Sequence, residues 1–364
     1  MTTPEQGMGL VRVERAAGDL RRGLIVVVTE QGRDAALIIA AELATDARLA
    51  ELRTLAGAQP DLALTGQRAA TMKIRLYTEP IVLVPLPADA NADLVRSLAD
   101  PATDLSHPLR GPFDARRDPV KPASIAAVEL AKIAALLPAA LIAAPRDTAP
   151  DELLRIDAHD IAQYDVAAAL GLELVTAAPV PLADAEKSRI LAFRPRDGGL
   201  EHFAIVIGDP LATEPVLVRL HSECFTGDLL GSLKCDCGDQ LRGAIREIAK
   251  AGSGILLYLR QEGRGIGLIN KLRAYALQGQ GFDTVEANQR LGFEPDEREF
   301  LAAAEILRRL GFARVRLLTN NPDKVAALAQ YGIEVVERVP HAFPANEHNA
   351  FYLATKAKKS GHLL

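Results

Sequence analysis

Residues 219–240 read RLHSECFTGDLLGSLKCDCGDQ and contain all three cysteines of the 364-residue chain, Cys224, Cys235 and Cys237. Cysteines one residue apart would form a strained disulfide, and an odd number leaves one unpaired. Clustered thiolates are typical zinc ligands, and a structural zinc site takes four protein ligands, whereas three leave a position for activated water. The stretch therefore predicts a catalytic zinc site. The alternatives are a structural zinc site completed by His221 or a carboxylate, and buried thiols without metal.

The composition describes a soluble globular protein. Hydrophobic residues make up 49% of the chain and charged residues 24%, and the length suits two ordinary domains. The net charge of −5 does not favour nucleic acid as a partner, so an anionic ligand would need a local basic site. No apolar run reaches the ~18 residues of a membrane-spanning helix. We also expect no signal peptide, and free thiols indicate the cytoplasm.

Composition divides the chain into two parts. Residues 1–185 are rich in Ala, Leu and Pro and lack cysteine, whereas residues 186–364 contain the cysteines and most Gly-rich turns. Short apolar runs at 23–29, 80–85 and 139–144 predict strands, which alternate with helical patterns. We therefore predict an α/β (α+β) fold with two domains, 1–185 and 186–364. The last residues are predicted to form a helix.

A predicted strand at 215–221 leads into the cysteine-containing loop, and a predicted helix follows from Gln240. Arg219 lies at the end of this strand, so it is a candidate phosphate ligand or a surface arginine. Gln240 lies in the first helical turn, so it either contacts a base edge or is a solvated helix residue.

A Gly-rich turn, RQEGRGIG at 260–267, lies between a predicted strand and a predicted helix. Backbone N–H groups in such a turn and the positive end of the helix attract anions, and Arg260 and Arg264 add positive charge. The turn predicts triphosphate binding, with a tight structural turn as the alternative. Glu262 would accept hydrogen bonds from guanine or pair with a nearby cation.

Further polar residues lie at the predicted ends of elements. Pro295 fits the start of a helix, which places Asp296 and Arg298 in the first turn, facing either a cleft or solvent. Thr319 ends a predicted strand and Lys324 lies in the first turn of the next helix. Both positions suit contact with a phosphate or a ribose.

Taken together, these motifs resemble GTP cyclohydrolase II over roughly residues 190–364. The motifs are RLHSEC, CDCG, RQEGRGIGL, DTVEAN, DEREF and LLTNNPDK, in the order of that family. The resemblance implies opening of the imidazole ring of GTP with release of formate and pyrophosphate. The product is a diaminopyrimidine ribosylamino phosphate, which makes this the first step of riboflavin biosynthesis.

The resemblance also implies roles for individual residues. The three cysteines bind one zinc ion per subunit, whose hydroxide attacks guanine C8, and Mg²⁺ accompanies the triphosphate. Asp296 accepts a proton, and Tyr275 orients the opened ring. Arg298 is the nucleophile on the α-phosphorus, although a protonated guanidinium favours an electrostatic clamp instead. The residues implied to contact GTP are Arg219, Leu220, His221, Ser222, Glu223, Gln240, Glu262, Gly263, Arg264, Thr284, Thr319 and Lys324.

The first part of the chain resembles 3,4-dihydroxy-2-butanone 4-phosphate synthase in its order of elements but not in its chemistry. The acidic loop of that family corresponds to residues 30–36, where Glu30 and Asp34 are the remaining acids. Its GHTEA motif corresponds to PASIA at 122–126, which holds neither His nor Glu. Mg²⁺ needs oxygen ligands and proton abstraction needs a base. We therefore predict an inactive domain kept for packing or assembly. The alternative is that this alignment is wrong and the domain has another role.

Alternatives to this assignment remain at the level of the whole chain. The first is a bifunctional enzyme with residual synthase activity. The second is a cyclohydrolase of the same fold that stops at the formamidopyrimidine after one hydrolysis, and the third is a non-catalytic regulator. We expect GTP as the small-molecule substrate, no nucleic-acid or membrane partner, and, from the resemblance, a homodimer.

Overall fold

The structure, a computed structural model, describes residues 4–106 and 111–343. These residues form two compact units. The first unit takes the chain through Asp165 and also Ile269–Glu297. The second unit takes Val166–Leu268 and the described chain from Arg298 onward. The helix predicted at the end of the chain, over 346–364, lies outside the described residues.

The sequence forms helices and strands in alternation, as an α/β fold requires. The α-helices, in chain order, are α1 (Pro4–Arg21), α2 (Asp46–Ala56), α3 (Gly66–Thr71), α4 (Ala92–Ala99), α5 (Pro122–Ile133), α6 (Ala158–Ala162), α7 (Tyr164–Leu170), α8 (Cys237–Lys250), α9 (Leu268–Gly279), α10 (Thr284–Leu291), α11 (Leu301–Arg309) and α12 (Pro322–Gln330). None of these described helices combines the length and the apolar composition that crossing a bilayer requires.

A mixed sheet forms the centre of the first unit. Its strands are β1 (Val26–Glu30), β2 (Arg33–Ala40), β3 (Asp61–Thr65), β4 (Ile81–Pro85), β5 (Ala139–Ala143) and β6 (Arg155–Asp157). Among the described residues the order is β4-β3-β5-β2-β1-β6, with β1 and β6 parallel and the other neighbours antiparallel. The largely apolar helix α5 packs against β1, β2, β3 and β5, and α2 also contacts β5. Every residue of β5 is buried.

A second mixed sheet forms the centre of the second unit. Its strands are β7 (Glu173–Pro179), β8 (Ser188–Arg194), β9 (His202–Ile207), β10 (Val216–Ser222), β11 (Gly254–Leu259), β12 (Arg314–Leu318) and β13 (Glu334–Val339). Within the described chain their order is β13-β12-β10-β11-β9-β8-β7. Strands β10 to β13 pair in parallel, and the pairs that involve β7, β8 and β9 are antiparallel. Two α/β units therefore confirm the predicted fold class.

The parallel strands determine where the functional residues of the second unit lie. β10 is hydrogen-bonded to β11 on one side and to β12 on the other, parallel to both. The carboxyl ends of adjacent parallel strands lie at the same edge of a sheet, and ligands bind there in open α/β sheets. The cysteine-containing loop follows β10, the Gly-rich turn follows β11, and Thr319 follows β12. Three motifs that are distant in sequence thus meet at one edge.

The predicted domain boundary after residue 185 differs from the observed division in two respects. Strand β7 precedes residue 185 but pairs with β8 in the second sheet. All seven residues of β7 are exposed, so hydrophobic patterning carries no information about the sheet that this strand joins. In addition, Ile269–Glu297 belongs to the first unit, an excursion of the chain that composition does not reveal.

The helix predicted to start at Pro295 is wrong, because α11 begins only at Leu301. Side-chain interactions hold the preceding residues outside a helix. The carboxylate of Glu297 accepts a hydrogen bond from the backbone N–H of Glu294 at 2.8 Å and pairs with Lys132 at 3.2 Å. Such local bonds offer the backbone an alternative to helical hydrogen bonding. Asp296 and Arg298 therefore lie in a loop and not in a first helical turn.

Candidate active site

The three cysteines converge at the edge of the second sheet. Cys224 lies two residues after β10, Cys235 lies at the end of the loop, and Cys237 is the first residue of α8. Their sulfur atoms all lie within 4.8 Å of one another, and the Sγ atoms of Cys224 and Cys235 are 3.7 Å apart. A tetrahedral site with Zn–S bonds of ~2.3 Å separates its sulfur atoms by about 3.8 Å. The three thiols therefore fit a soft divalent metal ion.

The close packing of the thiols also changes their acidity. Hydrogen bonding to Cys224 raises the pKa of Cys235 to about 11. Hydrogen bonds to Cys224 and Cys235, together with burial, raise the pKa of Cys237. Neighbouring thiolates disfavour each other's charge, and a bound cation reverses that preference. Ionisation of these thiols is therefore coupled to metal binding.

A fourth protein ligand is not evident. Among the residues that the structure describes, the cluster with metal-ligand spacing contains the three cysteines and no histidine or carboxylate. His221, the alternative ligand suggested by the sequence, instead directs its Nε2 to the carboxylate of Asp228, at 3.0 Å from each oxygen. His221 is thus engaged with Asp228 and is not part of the thiol cluster.

A glycine allows the cysteine-containing loop to fold tightly around the thiols. A π-helical turn spans Phe225–Leu229, and the backbone N–H of Gly227 donates to Cys224 Sγ at 3.4 Å. A Cβ atom on Gly227 would lie 2.8 Å from Cys235 Sγ and 3.1 Å from Cys224 Sγ. Both distances are shorter than van der Waals contact allows. The loop therefore reaches this conformation because residue 227 has no side chain.

A buried carboxylate fixes the start of this loop. Asp228 accepts hydrogen bonds from His221 Nε2, from the backbone N–H of Cys224 and from the hydroxyl of Tyr258, each at 3.0 Å. Burial lowers the pKa of His221, against the opposing effect of Asp228, so the imidazole is neutral. A carboxylate only accepts, so Nε2 carries the proton and Nδ1 is left as an acceptor.

Strand β10 contains two buried polar atoms that have no hydrogen-bond partner. Within the described residues, Arg219 Nε and His221 Nδ1 are buried and have no hydrogen-bond partner. Residues two apart on a strand point to the same face of the sheet. Because a buried polar atom without a partner costs ~1–3 kcal/mol, such atoms need an explanation. A polar ligand at this face would give both atoms a partner, the Arg219 Nε donor and the His221 Nδ1 acceptor.

Arg219 is not the surface arginine that the sequence left open as an alternative, since it is 5% exposed. Its Nη1 donates to the carbonyl of Leu318 at 2.9 Å, and its Nη2 donates to the side-chain oxygen of Gln240. Gln240 in turn donates to the carboxylate of Asp236. Burial lowers the pKa of Arg219 to about 10, which still leaves the guanidinium charged at neutral pH. Arg219 and Gln240 thus belong to one buried network.

The Gly-rich turn has an unusual backbone. A short 3₁₀ helix spans Glu262–Gly265, and within it Gly263 and Arg264 both have positive φ, at 64° and 63°. An L-residue such as arginine pays roughly 1–2 kcal/mol for this left-handed conformation. Strain of this kind is often found in loops that bind ligands.

Glu262 connects this turn to the cysteine-containing loop. Its carboxylate accepts hydrogen bonds from the backbone N–H of Phe225 at 2.6 Å and of Gly263 at 2.7 Å. Phe225 directly follows Cys224, so the Glu262 side chain holds two loops of the candidate site in a fixed relation. This structural role was not among the interpretations that the sequence suggested.

The remaining predicted residues around β10 are also engaged in hydrogen bonds. The hydroxyl of Ser222 accepts from the amide of Gln261 at 2.9 Å. The carboxylate of Glu223 pairs with Arg260 Nε at 2.8 Å, and both side chains remain partly exposed. These contacts place the residues before Cys224 directly beside the Gly-rich turn.

Two predicted residues after β12 and in α12 are buried. Lys324, 6% exposed, donates from Nζ to the carbonyl of Leu220 at 2.8 Å. Thr319 is 1% exposed, and its hydroxyl accepts from the backbone N–H of Asn321 at 3.0 Å. Both side chains are thus largely covered by protein, and Lys324 lies next to the strand that leads to the cysteines.

Three predicted site residues, Tyr275, Thr284 and Asp296, belong to the first unit, and the cysteines belong to the second. Tyr275 is on α9, where the Lys271 ammonium lies 5.8 Å from the centre of its ring. Thr284 is the first residue of α10, and its hydroxyl accepts from Gln278 at 3.2 Å. Asp296 lies in the loop before α11.

Several residues of the site were missed by sequence reasoning. Gly227, Asp228 and Asp236 lie within the quoted stretch, and a signal existed, because a glycine and acidic residues between metal ligands are candidates for shaping the loop. Tyr258 lies inside an apolar strand, where nothing in the local pattern distinguishes it. Its role follows only from the pairing of β11 with β10.

Comparisons with known proteins identify relatives of this chain. The sequence model of the GTP cyclohydrolase II family matches residues 173–340. A GTP cyclohydrolase-2 from Azospirillum brasilense is 52% identical over 360 residues, which cover 96% of this chain and 93% of that protein. The riboflavin biosynthesis protein RibBA of Bacillus subtilis is 62% identical over 167 residues, 46% of this chain and 42% of RibBA.

Solved structures give weaker matches. The two-domain 3,4-dihydroxy-2-butanone 4-phosphate synthase RibBX from A. baumannii covers 91% of this chain and 99% of its own at 18% identity, with a TM-score of 0.36. A synthase from Candida albicans covers 42% of this chain and 96% of its own at 19% identity, with a TM-score of 0.32. These scores are too low to support an inference.

The near-complete coverage of the Azospirillum relative decides the assignment. A relative that is 52% identical over 96% of the chain shares its fold and its activity, and the cysteine motif and the Gly-rich turn both fall within the residues that match the family. The predicted enzyme class is thereby confirmed: the chain belongs to the GTP cyclohydrolase II family.

Proposed function

We propose that the second unit uses a zinc ion held by Cys224, Cys235 and Cys237 to hydrolyse the guanine ring of GTP twice. The products would be formate, pyrophosphate and a diaminopyrimidine ribosylamino phosphate, as in the first step of riboflavin biosynthesis. One observation supports the proposal above all others: three mutually close thiols lack a fourth protein ligand among the described residues. They lie at the sheet edge where the Gly-rich turn also begins.

When bound, a three-thiolate zinc ion supplies hydroxide at neutral pH and polarises the reacting bond. The chain's own groups prepare the position. Asp228 holds the backbone of Cys224, and Glu262 holds that of Phe225, so two ties restrict the loop that contains the first ligand. Because hydrogen bonds to the backbone around a metal ligand fix the ligand's orientation, the two carboxylates would act as positioning residues.

The substrate would bind along the carboxyl ends of β10, β11 and β12. Arg264 and the N–H groups of the Gly-rich turn would contact the triphosphate together with Mg²⁺, since helix N-termini and Gly-rich turns favour anions. The two unpaired atoms on β10, Arg219 Nε and His221 Nδ1, would find partners on the nucleotide. The remaining proposed GTP contacts are Leu220, Ser222, Glu223, Gln240, Glu262, Gly263, Thr284, Thr319 and Lys324.

Three further residues would serve the chemistry. Asp296 is proposed as the proton acceptor and Tyr275 as the group that orients the opened ring. Arg298 is proposed to stabilise charge on the α-phosphate while pyrophosphate leaves, because a guanidinium stays protonated and binds phosphate well. A covalent phospho-arginine, trapped by rapid acid quenching, would instead establish Arg298 as a nucleophile.

The direct test is to incubate the zinc-loaded protein with GTP and Mg²⁺ and to quantify formate and pyrophosphate. We expect one formate and one pyrophosphate for each GTP consumed. Mass spectrometry of the nucleotide product separates the alternatives, because a retained formyl carbon would mean that only one hydrolysis takes place. Zinc-loaded protein that releases neither product would refute the proposal.

The metal requirement is tested by Cys235→Ser in the full chain. We expect zinc content and formate release to fall together, since a hydroxyl is a much poorer zinc ligand than a thiolate. Full formate release at negligible zinc content would rule out the zinc role. We further propose a homodimer in the cytoplasm, and light scattering with the purified chain tests the dimer.

A further inference from the structure

The first unit contains a segment that the proposed function needs. Ile269–Glu297 comprises most of α9, all of α10 and the residues that follow α10, and it is part of the first unit, together with the sheet of β1 to β6. Tyr275, Thr284 and Asp296 all lie in this segment. The contacts that hold it therefore bear on catalysis as well as on folding.

Polar contacts fix α9 at its beginning. The side chain of Asn270 is completely buried and donates to the carbonyls of Ala135 and Leu136, at 3.3 and 3.4 Å. One turn later, Arg273 pairs with Glu42 at 3.1 Å and with Asp100 at 3.3 Å. These ion pairs are largely shielded from solvent, with side-chain exposures of 24%, 12% and 31%. The position of α9 is thus set by residues that precede it by more than 130 positions.

The end of α10 is fixed by a close approach of backbone and side chain. Gly292 is the C-cap residue of α10, and its carbonyl accepts a hydrogen bond from the Thr65 hydroxyl at 2.7 Å. A Cβ at residue 292 would lie 2.9 Å from that hydroxyl and 3.0 Å from Pro138. Gly292 also has φ of 92°, so it meets both the conformational and the spatial requirement for glycine.

A buried arginine strengthens the same contact. Arg68, on α3, is 1% exposed and forms two hydrogen bonds with Asp104. Its Nη1 also reaches the carbonyl of Arg290 at 3.5 Å, and Asp104 lies 3.8 Å from the Arg290 guanidinium. A charge this deeply buried stays stable only with such partners. Residues of α3 and Asp104 therefore hold the end of α10 through hydrogen bonds and ion pairs.

Side chains of the N-terminal half also contact the residues that flank Asp296. Lys132, on α5, lies 3.2 Å from Glu297, and Gln67 on α3 donates to Glu294. The side chains of Lys132 and Glu297 are 21% and 18% exposed, so this ion pair is partly shielded from solvent and is stronger than a typical surface pair. Two side chains of the N-terminal half thus bind the residues immediately before and after Pro295 and Asp296.

We propose that the N-terminal half acts in cis as the scaffold that positions Ile269–Glu297, and that Lys132 is a positioning residue for Asp296 through Glu297. The proposal rests on the proposed function for the role of Asp296. It gives the N-terminal half, which we predict to be inactive as a synthase, a specific task in the cyclohydrolase reaction. It also identifies the partner of the inactive half: a segment of the same chain.

The test is a charge exchange in the full-length, zinc-loaded protein, with Lys132→Glu and Glu297→Lys made singly and together. Each single variant places like charges opposite each other, whereas the double variant restores an ion pair. A displacement of about 1 Å at a reacting group costs up to ~10²-fold in rate. We expect each single variant to lose about tenfold or more in kcat, with zinc content unchanged and KM for GTP changed less than kcat. The double variant restores the ion pair, but neither the hydrogen bond that Glu297 accepts from the backbone N–H of Glu294 nor the pairing of residue 132 with Glu129, so it should recover part of the loss.

Arg116→Glu is the matched control, because it reverses one charge of another first-unit ion pair, Arg116 with Asp61 at 3.0 Å, that includes no residue of the segment. Wild-type kcat in both single variants would overturn the inference while GTP turnover by the wild type stands. Wild type without turnover would instead defeat the proposed function. If Lys132→Glu unfolds, Lys132→Gln is judged by the same readouts. Unfolding of both would show that Lys132 folds the unit and does not position Asp296.

Discussion

At the scale of single residues, the cysteine-containing loop depends on one position that has no side chain. Gly227 packs against two of the three thiols, and its N–H donates to Cys224 Sγ. A methyl group there would have to displace sulfur atoms whose spacing suits a metal ion. The geometry of the site is therefore sensitive to a substitution that changes no ligand.

We expect Gly227→Ala to remove most zinc and with it most formate release, while the rest of the fold persists. The added Cβ would lie 2.8 Å from Cys235 Sγ, and overpacking of this kind costs typically ~1–3 kcal/mol. Zinc content by mass spectrometry of metals and unfolding by calorimetry measure the two effects separately.

Gly279→Ala is the matched control. It places the same methyl group at the end of α9, where nothing lies within 4 Å of the new Cβ, so zinc content and activity should stay at the wild-type level. Stoichiometric zinc in Gly227→Ala would contradict the described packing of the loop around the thiols.

The clustering of the three thiols could be predicted at this scale because cysteine is rare and its spacing is chemically restrictive. The supporting residues could not. Asp228 and Glu262 act by accepting backbone hydrogen bonds from residues brought close by the fold, and no residue pattern specifies such a partner. From the sequence, a glutamate in a basic turn is predicted to contact substrate. Only the structure reveals that Glu262 also connects two loops.

At the scale of elements, short β-branched runs predicted the central strands well, because strands buried on both faces are almost uniformly apolar. β11, with the sequence GILLYL, is an example and is buried along nearly its whole length. β10 is equally buried, but it also contains Arg219 and His221. α10 was missed even though Asp283 and Glu286 form a capping box, a recognisable start signal. The false helix start at Pro295 arose from a signal of the same kind, which the Lys132–Glu297 pair overrides.

One histidine joins two elements and makes their stability depend on pH. His202 begins β9, and its Nδ1 accepts from the backbone N–H of Arg260 at 3.1 Å, directly after β11. Burial lowers the pKa of His202 to about 4, whereas an unfolded histidine titrates near ~6.5. Below pH ~6.5 the unfolded chain therefore binds a proton that the folded chain does not. The contribution of neutral His202 to the free energy of unfolding is fully present above that pH and is lost as the pH falls toward 4.

We expect His202 alone to account for a loss of about 2 kcal/mol in unfolding free energy between pH 7 and pH 5. Guanidinium titrations of the full chain at both pH values measure the loss. His202→Asn keeps an acceptor near the position of Nδ1 but does not titrate, so its loss should be smaller by about that amount. The exposed His159→Asn controls for replacing a histidine. Equal losses in wild type and His202→Asn would disprove the linkage.

At the scale of the whole molecule, the division into units is the feature that sequence reasoning predicted least well. Composition changes once along the chain, which suggests a single boundary. The chain in fact returns to the first unit for Ile269–Glu297. Contacts such as that of Thr65 with Gly292 join residues 227 positions apart, and hydrophobic periodicity, which is local, does not encode them.

The same scale carries the prediction that the molecule has one activity. The two acids that remain from the synthase-like loop both have structural partners. Glu30 accepts from the N–H of Ala123 at 2.7 Å, at the start of α5, and Asp34 pairs with Arg155 at 3.1 Å. Carboxylates committed in this way are poorly suited to gather Mg²⁺, which demands near-ideal oxygen coordination.

We therefore expect no dihydroxybutanone phosphate when the protein is incubated with ribulose 5-phosphate and Mg²⁺, in a preparation that releases formate from GTP. Product detection by mass spectrometry, with an active synthase run in parallel, checks the result. Glu30→Ala should lower unfolding stability by about 1 kcal/mol, as the loss of a helix cap does, without affecting either assay qualitatively. Turnover of ribulose 5-phosphate that Glu30→Ala abolishes would show instead that the N-terminal half retains catalysis, and that its carboxylates leave their structural partners to bind metal.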